Sequence, residues 1–165
     1  MTLSLIAIAV FVAMAIEAVI AARHDRALRA GGAVEPKDDV YRLMQVAYPG
    51  AFVAMIVEGW VRGSQETTLV AGIVTFLFAK GLKYWAIATL GERWTFRVLV
   101  PPGSIRIVRG PYRLVRHPNY VAVIGELAGL ALMTAAGIAG PIGTSVFLIL
   151  ILARIRVEER ALAER

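Results

Sequence analysis

The chain has no cysteine, which excludes disulfide staples, thiol chemistry and cysteine-ligated zinc. Charge is scarce as well. Asp, Glu, Lys and Arg together make 18% of the 165 residues, against 58% apolar residues and a mean hydropathy of +0.68. A protein this small has much surface for its volume, and here too few polar side chains to cover it in water. A water-soluble globule is thereby excluded, and the hydrophobicity excludes intrinsic disorder. No internal repeat or low-complexity stretch stands out, which argues against solenoids, fibrous arrays and the inverted repeats of larger transporters. Acidic residues number 12 against 18 Lys and Arg, a net charge of +6. Such a balance can mark nucleic-acid binding, so the positions of the cations decide its meaning.

What the sequence has instead is five low-charge runs, at 2–22, 43–61, 68–90, 120–136 and 138–153. About 20 residues of helix cross the hydrocarbon core. The runs are continuous rather than alternating, so they read as helices and not as barrel strands. The last two are short and meet around 137–141, a tight hairpin whose second arm continues helically through 154–162. The expected fold is a single all-α polytopic membrane domain over residues 1–165, with five transmembrane helices and a cytoplasmic C-terminal helix extension; four spans is the alternative. The first run has no basic residue ahead of it and is followed by Arg23, His24 and Arg26, so it reads as a retained helix rather than a cleaved signal.

Cations near spans stay in the cytoplasm. Five lie at 23–42, six at 91–117 and four at 154–165, fifteen of the 18 in all. That pattern puts the N-terminus outside and the C-terminus inside, in an inner (cytoplasmic) membrane. Insertion then accounts for the positive charge, and nucleic acid is not an expected partner.

The long polar stretch lies on the same side. It runs from Gly91-Glu92-Arg93-Trp94-Thr95 through Pro101-Pro102-Gly103 to Gly110-Pro111-Tyr112 and Arg116-His117-Pro118-Asn119-Tyr120. Pro and Gly prevent one long helix, residues 104–108 alternate like a short extended segment, and Pro118 suits the first turn of the fourth span. His117 and Tyr120 then sit at a helix N-terminus, where free amides favour a carboxylate or phosphate. An arginine-rich loop with aromatic anchors would also read this way. Near the C-terminus, Arg154 and Glu158 share a helix face at i, i+4, and Glu159 points elsewhere.

Together these motifs, Gly-x-Tyr-x-x-x-Arg-His-Pro-x-Tyr at 110–120 and Arg-x-x-x-Glu-Glu at 154–159, resemble the integral membrane methyltransferases of the isoprenylcysteine carboxyl methyltransferase and phospholipid methyltransferase superfamily. Gly-Glu-Arg-Trp-Thr at 91–95 is similar to that family's opening motif. Arg-His-Pro-Asn-Tyr, with Gly-Ala-Val-Glu at 32–35, looks more like the bacterial branch that O-methylates alkylpyrones or alkylresorcinols. The resemblance implies S-adenosylmethionine as cofactor, bound without the Gly-x-Gly-x-x-Gly loop of soluble methyltransferases. Its implied contacts fall on Ser104, Ile105, Arg106 and Ile107, on Tyr112, on His117, Pro118, Asn119 and Tyr120, and on Glu158 or Glu159. Arg154 falls where the family places an arginine near the substrate, and position 119 departs from the family by being Asn.

A sulfonium donor with an amino-acid tail needs carboxylates, hydrogen-bond donors and aromatic walls, and its displacement chemistry needs no metal. The acceptor is expected to be a lipophilic small molecule arriving from the membrane lipids, methylated on a carboxyl or acidic hydroxyl oxygen. A phenol would gain from a base. The ionisable residues inside spans are Glu17, Glu58, Lys80, Lys83 and Glu126. Four of them fall at similar depth, Glu126 is the expected base, and Glu58 reads as interfacial. The alternatives are a membrane reductase of related architecture using NAD(P)H, and a small proton-coupled exporter. Oligomeric state is left open.

Overall fold

The computed structural model describes residues 2–36, 39–63, 66–103 and 107–163. Five long helices follow one another: α1 Thr2–Ala30, α2 Tyr41–Arg62, α3 Glu66–Leu90, α4 Pro118–Thr134 and α5 Ala139–Ala163. Two single turns of 3₁₀ helix, Gly91–Arg93 and Gly110–Arg113, interrupt the polar segment between α3 and α4. Among the described residues the one β pairing is an isolated antiparallel bridge, Val34 to Val100.

Each apolar run has become a helix. Their outer faces carry exposed Ile8, Val46, Leu77, Phe78 and Ile149, an arrangement unsuited to water and suited to lipid. Four of the five, α1, α2, α3 and α5, are long and apolar enough to cross a membrane, and the protein is a multi-pass membrane protein. The fifth, α4, has 17 residues and is short for a span. Helix α1 runs past the expected end at Ala22 to Ala30, because Arg23 to Arg29 are good helix formers. It stops at Gly31 and Gly32, the latter at φ +81°, a conformation glycine adopts without penalty.

Small residues bring α3 and α4 together. A Cβ on Gly129 would sit 2.7 Å from the Phe76 backbone nitrogen, one on Gly72 2.5 Å from that of Met133, and one on Gly125 2.9 Å from the Ala79 Cβ. Without a hydrophobic driving force between helices in lipid, such backbone contact supplies the packing energy. The core beside this seam is built by α2, α4 and α5, around fully buried Phe52, Met55, Leu127 and Leu130.

Successive helices alternate in direction. At one end Gly59 lies against Thr134 and Leu3, and the Glu58 carboxylate accepts from the Ile138 and Ala139 amides (3.1 and 2.6 Å). Glu58, expected as a merely interfacial acid, thus caps α5 from a neighbouring helix. At the other end lie the α1–α2 loop, the polar segment and the last turns of α5.

Candidate functional site

Both sequence motifs converge at this second end. His117 precedes α4, and Pro118 is its buried first residue. One turn in, Tyr120 faces α5. Its hydroxyl accepts from Arg154 Nε at 2.9 Å and donates to Glu158 Oε2 at 3.0 Å. Arg154 and Glu158, one turn apart, are therefore joined through Tyr120. The His117 and Tyr120 rings stack with centroids 5.5 Å apart. His117 Nε2 is buried without a hydrogen bond, 3.5 Å from Glu159 Oε1, and Nδ1 lies 3.7 Å from Glu158 Oε2. Arg116 reaches Glu159 at 3.9 Å.

Arg154 is nearly enclosed and heavily used. It donates to Tyr120, to the Phe96 carbonyl at 2.5 Å and to Asp39 Oδ1 at 3.2 Å. Asp39 also accepts from the Tyr41 and Val98 amides, so one carboxylate ties the start of α2, the polar segment and α5. Further ties hold the α1–α2 loop over residues 94–100. The Val34 and Val100 backbones pair, Glu35 meets Arg97 at 2.7 Å, and His24 Nδ1 donates to the Trp94 carbonyl at 2.8 Å. Trp94, itself buried, donates from its indole to Asn119 Oδ1 at 3.3 Å.

Two cavities flank this network. The smaller, about 170 Å³, is lined by Ile107, Tyr112, His117, Glu158 and Glu159 on one side and by Trp94 and residues 97–101 on the other. Burial, and then the charge of Glu158, push the Tyr112 phenol above its ordinary range, so it stays a neutral donor on this wall. The larger, about 660 Å³, lies between α1 and α2 and is mostly apolar. Asn119, Tyr120 and Arg154, with Thr95 and Arg97, line both.

About two turns deeper, the four intramembrane charges meet. Lys80 contacts Glu17 at 2.6 Å and Glu126 at 3.3 Å, and Lys83 contacts the same two at 2.6 and 3.2 Å. The Tyr48 hydroxyl donates to Glu126. This is the cluster expected from their similar depth, fully paired as burial demands.

Of the expected site residues, Ile107, Tyr112, His117, Asn119, Tyr120, Glu158 and Glu159 line the smaller cavity, and Arg154 lines both. Pro118 serves as the buried start of α4. Ser104, Ile105 and Arg106 lie outside the described residues. Glu126 lines neither cavity; Tyr48 and Lys83 stand on the larger cavity's wall and touch it. Asp39 and Tyr48 were not foreseen: the acid at 39 precedes a span, a cap-like signal, whereas nothing in the pattern marks Tyr48.

The model of the isoprenylcysteine carboxyl methyltransferase (ICMT) family matches residues 71–164, the part of the chain that carries the site. An uncharacterized protein of Bacillus subtilis (strain 168), YpbQ, is 30% identical over 91% of this chain and 90% of its own length. An uncharacterized protein of Haemophilus influenzae is 30% identical over 87% of this chain and 85% of its own. No solved structure gives a significant match.

Proposed function

Because the chain belongs to the isoprenylcysteine carboxyl methyltransferase family, we propose that it is an S-adenosylmethionine-dependent enzyme that methylates a carboxyl or acidic hydroxyl oxygen of a lipophilic acceptor. The observation that carries this reading is the wall common to two cavities, a smaller one rich in charged side chains and a larger, mostly apolar one, at Asn119, Tyr120 and Arg154. A transfer enzyme needs its two ligands to meet across such a wall.

The smaller cavity suits the cofactor by its charged and aromatic side chains. Two carboxylates, Glu158 and Glu159, face an ammonium or ribose hydroxyls. His117 brings a buried nitrogen without a hydrogen bond, and Tyr112 and Tyr120 bring aromatic walls for a cation. When bound there, S-adenosylmethionine supplies an electrophilic methyl group on a good leaving group. The chain's own work is to hold and orient. Tyr120 fixes Glu158 on one side and Arg154 on the other, and Arg154, pinned by Asp39, holds its guanidinium at the boundary, where it binds and orients an anionic acceptor oxygen for in-line attack on the methyl group. Trp94, and the loop residues Val34 and Glu35 tied to Val100 and Arg97, cover this end and keep water from it.

The acceptor reaches the larger cavity from the bilayer between α1 and α2. Helix α1 buries only Leu3, Val10, Glu17 and Ala21 and is held to α3 through Glu17, which leaves its seam with α2 as the side that parts for an entering ligand. In this reading α4 is the fifth span, shortened because its N-terminus dips to the site. The site faces the cytoplasm, consistent with the cations around it, in the inner membrane with the N-terminus outside.

The test is transfer of labelled methyl from S-adenosylmethionine to membrane lipid extract by the purified protein. Transfer that Glu158→Ala abolishes while the protein stays folded supports the reading. No cofactor binding by folded protein would end it.

A further inference from the structure

Resting on the reading above, the larger cavity has a second polar level that methyl transfer at Arg154 does not use. On α5, Phe147 packs against Tyr48 (ring centroids 5.1 Å apart) and lies seven residues before Arg154. On α4, Glu126 receives Tyr48 and lies six residues beyond Tyr120. At 1.5 Å per residue both helices separate the two levels by about 10 Å. Glu17, Lys83 and Tyr48 line the cavity at the lower level, and between the levels its wall includes apolar Ala18, Met44 and Val123.

We propose that the lower level is a binding subsite for a neutral hydroxyl on the acceptor, about 10 Å along the molecule from the oxygen that is methylated. Charge balance decides that the group is neutral. Glu17, Glu126, Lys80 and Lys83 pair in full, so an added anion or cation would be buried without a counter-charge, which burial penalises. Hydrogen bonding decides that it is a hydroxyl. Lys83, which lines the cavity, has three N–H groups and meets two carboxylates, so one N–H is not taken by an acid. The Tyr48 oxygen has given its proton to Glu126 and still accepts. Pro49 has no N–H for the Gln45 carbonyl, and both residues line the same cavity. A hydroxyl accepts from Lys83 and donates to one of these oxygens; a bare methylene leaves them unpaired.

The probes are hexadecanoic acid and its 8-hydroxy derivative, together with 4-dodecylphenol and its analogue hydroxylated on the fourth chain carbon. In an extended chain each hydroxyl falls near the required distance. Binding is measured calorimetrically on the detergent-solubilised protein in the presence of S-adenosylhomocysteine, so no turnover is needed. In at least one pair the hydroxylated probe is expected to bind about tenfold more tightly, as a hydrogen bond to a charged group implies. Tyr48→Phe should shrink that preference to about threefold or less, read as the ratio of hydroxylated to plain probe within the variant. Equal affinity within both pairs, or no binding of either hydroxylated probe, overturns the subsite; the wild-type comparison stands even if the variant is unstable. Methyl transfer is scored separately, so preference without transfer keeps the subsite and counts against methylation of such acceptors.

Discussion

Replacing Tyr120 by Phe removes one oxygen that serves two partners unequally. Arg154 is 5% exposed and would keep its bonds to Asp39 and Phe96 but leave Nε without a partner in a dry place. Glu158, its side chain 34% exposed, can turn to water. An unmet buried donor costs about 1–3 kcal/mol, and the Glu158 side adds little because solvent replaces the bond. If the role of Tyr120 toward the cofactor is to hold Glu158, then Tyr120→Phe and Glu158→Gln should each weaken S-adenosylmethionine binding about tenfold. The double variant should bind no worse than the weaker single one, a coupling of about 1.4 kcal/mol. Titration calorimetry on all four proteins in one detergent gives the cycle, with thermal midpoints recorded beside it. Additive losses, or a Tyr120→Phe protein that binds the cofactor as tightly as the parent, would refute the bridge.

The fold and the loop strap yield further tests. Gly129→Ala forces a Cβ to 2.7 Å from the Phe76 backbone nitrogen and should cost about 1–3 kcal/mol. Gly50→Ala, with nothing within 4 Å, should leave the thermal midpoint unchanged or raise it; equal effects would deny the α3–α4 seam. Glu58→Ala strips the α5 amides of their cap and should lower the thermal midpoint, a loss that Glu58→Gln partly reverses. Burial by itself would raise the Glu35 carboxyl, but hydrogen bonds from Arg29 and Arg97 outweigh it and hold it below its ordinary 4.5. A depressed carboxyl stabilises fully above its unfolded value, and that contribution is lost as pH falls through the folded one. Acidifying from neutrality should therefore narrow the stability gap between the parent and Glu35→Gln; a gap independent of pH would show that the strap does not depend on this charge.

Helices were legible because an apolar run leaves the backbone no other solution in lipid, and the convergence of His117 to Tyr120 with Glu158 followed from loop lengths and the parity of the spans. Glu17, Lys80, Lys83 and Glu126 could be grouped by depth alone, since buried charge must find opposite charge. Glu126 illustrates the limit. Its depth was readable, but that Tyr48 and Lys83 stand on the cavity wall beside it depends on the rotation of α2 and α3 about their axes, which no run of apolar residues encodes. Asp39 and Glu58 were opaque for a related reason: each satisfies backbone amides of an element distant in sequence, and a carboxylate carries no mark of the partner it will meet. Helix α1 outlasts the apolar run of its span because charged residues end a span without ending a helix.

The central claim is that one methyl group passes to a lipid across the wall formed by Asn119, Tyr120 and Arg154. Mass spectrometry of lipids from cells expressing the parent protein, its Glu158→Ala variant and neither tests it most directly. A lipid species heavier by one CH₂ should appear with the parent alone, carrying label when the methionine methyl is labelled. Identical lipid profiles in all three, with the parent protein folded and abundant in the membrane, would contradict it.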